Sequence, residues 1–253
     1  MKSLKIISDE RFGSSLLYVK RRFEAIDSTL VEVTDDGLEI SCTFEKNSNE
    51  IQAIIKDIIS EIVVTDCKAY FIKSNINLPT HDQIGVTAFL CALCEFDRST
   101  DKLLATSLIK LSPVFVIGSF YDFCLDVLKN RWSEVCMLAN ENLPFLCCPK
   151  TFSELLGFLI SNVESAVSEV YLKHEKKGVT VVDRHMKPID HVYVNEALPN
   201  ELKVISILVS LNPRRIFMLD EDCQLYQRIA EIFGSNVARK PIATQDIKTF
   251  FLY

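Results

Sequence analysis

A chain of 253 residues, 48% of them hydrophobic, carries enough apolar side chain for one large core or two ordinary ones. Its formal charge of −6 and pI near 5.4 oppose nonspecific attraction to nucleic acid or anionic lipid, because both require a positive field at the protein surface. Nine cysteines, an odd number set mostly within apolar patterns, fit buried thiols in a reducing cytoplasm better than a disulfide framework.

The first residues turn acidic at Ser8-Asp9-Glu10, before the ~7–15-residue apolar stretch of a secretory signal is complete. The longest uncharged runs, 83–94 and 111–121, fall short of the ~20 residues of a spanning helix. A cytoplasmic protein without membrane insertion is expected. Residues 4–7 read as a strand, and Ser8-Asp9-Glu10 offers a helix start for Leu16, Leu17, Val19 and Phe23. Residues 29–33 and 38–44 alternate as strands around an Asp35-Asp36-Gly37 turn. Residues 1–47 thus predict a small N-terminal β-α-β-β unit.

From Ser48-Asn49-Glu50 an isoleucine-rich helical pattern runs through Ile62 toward Phe71, although 58–64 is β-branched enough to suit a strand. Thr80 with Gln83 has the spacing of a capping box for a helix through Phe96, and a further helix over 101–111 stops at Ser112-Pro113. Residues 117–140, with the only tryptophan, predict one long central helix. Tyr121, Leu125, Leu128, Trp132, Val135 and Ala139 form its narrow apolar stripe, widened to half the circumference by Ile117, Phe120, Cys124, Val127 and Leu138. Such an arc needs several partners. Arg131 falls inside it, where an unpaired guanidinium is costly, so it should reach a carboxylate or carry its charge to the rim. Thr151 with Glu154 then caps a helix over 152–163 and closes a helical region spanning 48–165.

Residues 166–253 change character. Short β-rich runs at 166–172, 179–182 and 191–194 suggest an antiparallel meander, followed by a helix at 201–211, a strand at 214–219 and a helix over 223–233 closed by Gly234. The fold class is α+β, with the three regions packing as one or two domains.

Few residues suggest chemistry. Cys91 and Cys94 share a helix face with no second metal-type pair, as two small core hydrophobes would. His174, His185 and His191 follow no zinc spacing, and Cys147-Cys148-Pro149 reads as a loop whose exposed thiol is oxidisable. Asp220-Glu221-Asp222 follows a strand and opens a helix near Arg214 and Arg215, a position that suits either helix capping or a ligand. Seven glycines form no phosphate-cradling loop, and the basic pairs are scattered among acids without a nucleic-acid stripe. No catalytic residue, cofactor or metal is assigned. Arg131, Arg214, Arg215, Asp220 and Asp222 remain as ligand or interaction candidates.

The central segment with Gly118, Phe120 and Phe123, the helix over 152–160, and above all residues 205–220, ISILVSLNPRRIFMLD, followed by Ile232-Phe233-Gly234, resemble the YtxC-like family of sporulation proteins. The resemblance spans residues 50–238. Cys124 stands where the family often has arginine, and no cysteine follows Cys223, whereas many members end in a cysteine-rich tail. What the resemblance implies is a setting, a soluble cytoplasmic protein of sporulating cells, with no catalytic residue to carry over. The lack of a catalytic constellation beside a large packed core leads to the expectation of an interaction or regulatory protein with an unidentified protein partner and no oligomeric state indicated. The alternative is a ligand- or metal-binding enzyme using the acidic end of the 214–219 strand.

Overall fold

The computed structural model describes residues 3–26, 29–34, 39–44, 49–76, 82–141, 148–176, 178–189, 198–219 and 224–239. The chain divides into one unit of residues 1–79, 93–147 and 193–198, and a second of 80–92, 148–192 and 199–253.

In the first unit, β1 (Ser3–Ile7), α1 (Ser15–Glu24), β2 (Thr29–Val33) and β3 (Glu39–Phe44) follow the expected order. The expected turn at 35–37 lies outside the described residues. Helix α1 starts at Ser15 rather than at 8–10, because residues 9–14 form successive turns after β1. Helix α2 (Asn49–Ile62) passes through a π-helical segment, Val63–Cys67, into α3 (Lys68–Asn75). Ile55, Ile58, Ile59 and Ile62 are all buried, a helical i, i+3, i+4, i+7 set, so tertiary burial overrides the β propensity of 58–64.

Helix α4 (Gln83–Glu95) crosses the division between residues 92 and 93. Asp82, whose Oδ1 accepts the Gly85 N–H at 2.9 Å, caps it; the expected Thr80 cap lies outside the described residues. Helix α5 (Arg98–Leu108) ends three residues earlier than expected, because the chain must extend into β4 (Val114–Val116), a strand too short to show in the sequence pattern. The sheet order is β2-β3-β1-β4, with β1 antiparallel to β3 and parallel to β4.

The expected single central helix is two helices. Helices α6 (Ile117–Cys124) and α7 (Asp126–Glu141) are separated by Leu125, whose backbone (φ −98°, ψ 16°) leaves helical geometry. No proline or glycine marks the break. Lys129 Nζ instead donates to the Asp122 carbonyl in the last turn of α6 at 3.1 Å, as lysines do at helix C-termini, and Asp126 favours the start of α7. Tyr121, Leu125, Leu128, Trp132 and Cys136 are buried, whereas Phe123, Cys124, Val127, Met137 and Leu138 face solvent. The covered arc is narrower than the sequence suggests.

Leu4, Ile6, Ile40, Phe23, Ile58, Ile62 and Trp132 belong to one core, so the expected boundary at 47/48 does not separate domains: the half-apolar sheet needs the helices as its cover. Nor does 165/166 mark the division, since the second unit also takes in 80–92 and 148–165.

That unit holds α8 (Pro149–Ser161), β5 (Glu169–Glu175), β6 (Gly178–Val182), α9 (Asn200–Leu211), β7 (Arg215–Met218), α10 (Gln224–Phe233) and β8 (Val237–Arg239). Its sheet order is β6-β5-β7-β8. The β5–β6 hairpin is antiparallel as expected, but β7 joins β5 and β8 joins β7 in parallel, making a mixed sheet. The expected third meander strand, 191–194, lies outside the described residues. Asn212, in left-handed geometry (φ 37°), ends α9 and donates from Nδ2 to the carbonyls of Ile160 and Val163 at 2.9 and 2.6 Å, fastening the end of α8. Gly234 (φ 53°) follows α10, where a left-handed residue suits glycine.

Candidate functional site

The residues singled out in the sequence fall in both units. Arg214 is exposed. Arg215 pairs across the sheet with Glu169, its register partner on β5, at 3.2 Å, and lies 5.6 Å over the Phe217 ring. Asp220 and Asp222 lie outside the described residues. His174 and His185 are exposed, and His191 lies outside the described residues. Cys91 Sγ contacts Ser206 Oγ at 3.5 Å, and Cys94 Sγ the Thr65 carbonyl at 3.9 Å. Among the described residues no three His, Cys, Asp or Glu side chains are placed to hold a metal ion.

Cys148 directly precedes α8, with Pro149 at its first position, and Cys147 lies outside the described residues. Hydrogen bonds from the Thr151 hydroxyl and then its backbone N–H hold this exposed thiol below its usual range. Burial does the opposite to Cys42, pushed up to about 12, and to Cys67 and Cys136, which stay protonated.

Charged clusters are several among the described residues: Arg98 and Lys102 gather Asp57, Glu61 and Glu95, Arg228 pairs with Asp82 and Glu231, and Arg131 leads to another. Its Nε donates to Asp101 Oδ1 at 3.2 Å and its Nη2 to Asp97 Oδ2 at 3.2 Å. Asp101 Oδ2 also accepts from Trp132 Nε1 at 2.9 Å and from Lys68 Nζ at 2.8 Å. Lys68 completes its three bonds on the carbonyls of Cys94 and Phe96, at 3.2 and 2.6 Å, beside the C-terminal end of α4, where positive charge is favoured. The Lys68 and Asp101 side chains are only 1% and 2% exposed. With every Lys68 donor satisfied and both Asp101 oxygens engaged, this cluster ties α3, α5 and α7 together, while Arg131 and Asp97, 38% and 54% exposed, form its wet rim. Lys68 escapes sequence reading, although the signal that marks Arg131 is present: a cation within an apolar helical stripe, here between Val64 and Ile72.

A further cluster, centred on Arg11, has no local sequence signal, because its two acids are over a hundred residues apart. Arg11 Nη1 and Nη2 donate to Asp122 Oδ1 and Oδ2 at 2.8 and 2.9 Å, a two-pronged pairing. Its Nε and Nη2 donate to Asp9 Oδ2 at 3.0 and 2.6 Å. Three rings surround the guanidinium: Cζ lies 5.3 Å from the Phe12 centroid, 5.5 Å from Tyr121 and 5.9 Å from Tyr70. The rings stand 5.3–5.6 Å apart, Tyr70 nearly perpendicular to Tyr121. Asp9 approaches α6 at Gly118, where any Cβ would collide with its carboxylate. The hydrogen bonds from Arg11 hold the Asp122 carboxyl below its ordinary range. Burial first, then Cys67 and Tyr70, push the Tyr121 phenol up to about 12. The cluster sits beyond the C-terminal ends of the parallel pair β1 and β4, the edge at which parallel sheets place ligand-binding groups.

Fold and geometry together define an α+β protein, and among the described residues no helix is long and apolar enough to cross a membrane. No family model matches the chain, and no curated protein or solved structure matches it either.

Proposed function

We propose that this chain works by binding a protein partner, in the cytoplasm of sporulating cells, without catalysing a reaction. The setting rests on the YtxC-like residue pattern and on the buried, protonated thiols. The interaction rests on one observation, the outer line of α6 and α7. Phe123 is 80% exposed, and Val127, Met137 and Leu138 are all more than half exposed. At about 100° per residue, Val127, Glu134 and Leu138 fall within about 40° of one another, while Leu128, Trp132 and Cys136 face the core. Exposed Glu134 lies within this line, and exposed Asp126 and Glu141 flank it, giving it negative charge. It suits an amphipathic partner segment bearing lysine or arginine beside its apolar anchors. The acidic edge disfavours a second copy of the same face.

The test is a crosslinked pull-down from sporulating cells with the wild-type chain and with a Val127→Glu, Leu138→Glu double variant. A protein retained by the first and lost by the second, with unchanged unfolding temperature, is expected; identical recovery by both refutes the reading. The ligand-binding enzyme alternative gains nothing from Arg215, whose charge is engaged by Glu169 and Phe217.

A further inference from the structure

The geometry points to the Arg11 cluster as a guanidinium receptor that the chain fills with its own arginine and that an arginine side chain from the partner fills in its place. Two carboxylates and three rings around one planar cation form the arrangement that recognises an arginine from outside: a two-pronged carboxylate along its edge and aromatic faces against its planes.

Asp9 and two of the rings are held without help from the Arg11 side chain. Asp9 Oδ1 accepts the backbone N–H of Arg11 at 3.0 Å, a bond that survives any rotation of the side chain. Gly118 leaves the space into which the Asp9 carboxylate fits. Phe12 and Tyr121 are fixed in the core, and α6, whose last turn Lys129 caps, places the Asp122 backbone, from which the carboxylate turns to meet the guanidinium. Lys129 Nζ, already 4.5 Å from the Tyr121 centroid, stays beside the acids when Arg11 leaves.

The guest has a way out. The Arg11 side chain is 31% exposed and those of Asp9 and Asp122 are 41% exposed, so water reaches one side of the cluster. Phe123, the most exposed large apolar side chain of the outer line, directly follows Asp122. A partner seated on that line brings its cations to the receptor. This choice of arginine donor rests on the partner-binding reading; the receptor itself does not.

Methylguanidinium chloride is the probe, followed by NMR shifts of the Gly118 amide and the Tyr70 and Tyr121 rings, against sodium chloride at equal concentration. Arg11→Ala should bind it saturably, and the wild-type chain about tenfold more weakly or less, because its receptor is free only while Arg11 is out. Adding Asp122→Asn to Arg11→Ala should abolish the binding. Arg11→Gln, which keeps the aliphatic stem over the rings, provides a second folded background. Equal affinity in wild type and variant, binding indifferent to Asp122→Asn, or failure of both Arg11 variants to fold overturns the inference, the last because a guest that cannot leave cannot be replaced. None of these outcomes touches the pull-down result for Val127 and Leu138, so the receptor and the partner surface fail separately.

Discussion

Asp101 and Asp122 both accept from an arginine beside an aromatic side chain, and both belong to the first unit, but water reaches only one of them. Around Asp101 the cations are Lys68 and Arg131, the ring is the buried Trp132, and the lysine and carboxylate are almost wholly covered. Around Asp122 the cation is Arg11, and the paired groups remain about a third or more exposed. Removing one member of a dry pair strands an uncompensated charge and costs about 3–5 kcal/mol, whereas an exposed pair contributes about 0.2–1 kcal/mol. The same residue types therefore serve two ends: a covered cluster secures the helices, and a wet one can exchange its members.

The largest effect expected from breaking this contrast is at Lys68. Lys68→Met fills the volume but leaves the Cys94 and Phe96 carbonyls without their donor and Asp101 without its nearest cation, and should cost about 3–5 kcal/mol in urea unfolding. A loss below about 1 kcal/mol would mean that the cluster is not closed to water.

A smaller effect sharpens the other side. The Tyr121 phenol is raised to about 12, so the folded chain keeps a proton that the unfolded chain gives up near pH 10. Its contribution to stability is complete below about pH 10 and is lost as pH climbs through 12. The Arg11 guanidinium lowers this phenol, so Arg11→Ala should move its titration higher still, read from the Tyr121 ring resonances. An unchanged midpoint would show that Arg11 does not face the ring in solution.

Local pattern explains what was legible in the sequence. Strands β1, β2 and β3 alternate, α2 repeats its isoleucines at helical spacing, and the Asn212-Pro213 and Gly234 stops are written in adjacent residues. Arg131 could be expected to reach a carboxylate or the rim from one fact, its place in an apolar arc, and it does both, pairing with Asp97 and Asp101 while 38% exposed. The break at Leu125 had no such mark, because it is settled by Lys129 reaching the Asp122 carbonyl and by α6 leaving directly from β4. Strand β4 is three residues long and exists through its pairing with β1. The Arg11 cluster was wholly hidden: Asp9 looks like a helix cap, Asp122 looks like solvated helix surface, and only the fold makes them neighbours.

The central distinction is tested most directly by the thermal unfolding midpoints of Asp101→Asn and Asp122→Asn, measured side by side at neutral pH. Each substitution removes one negative charge with almost no change in shape. At about 2–4 °C per kcal/mol for a chain of this size, Asp101→Asn should lower the midpoint by about 6–20 °C and Asp122→Asn by less than about 4 °C. Equal falls, or a larger one for Asp122→Asn, would contradict the division into a covered structural cluster and an exchangeable one.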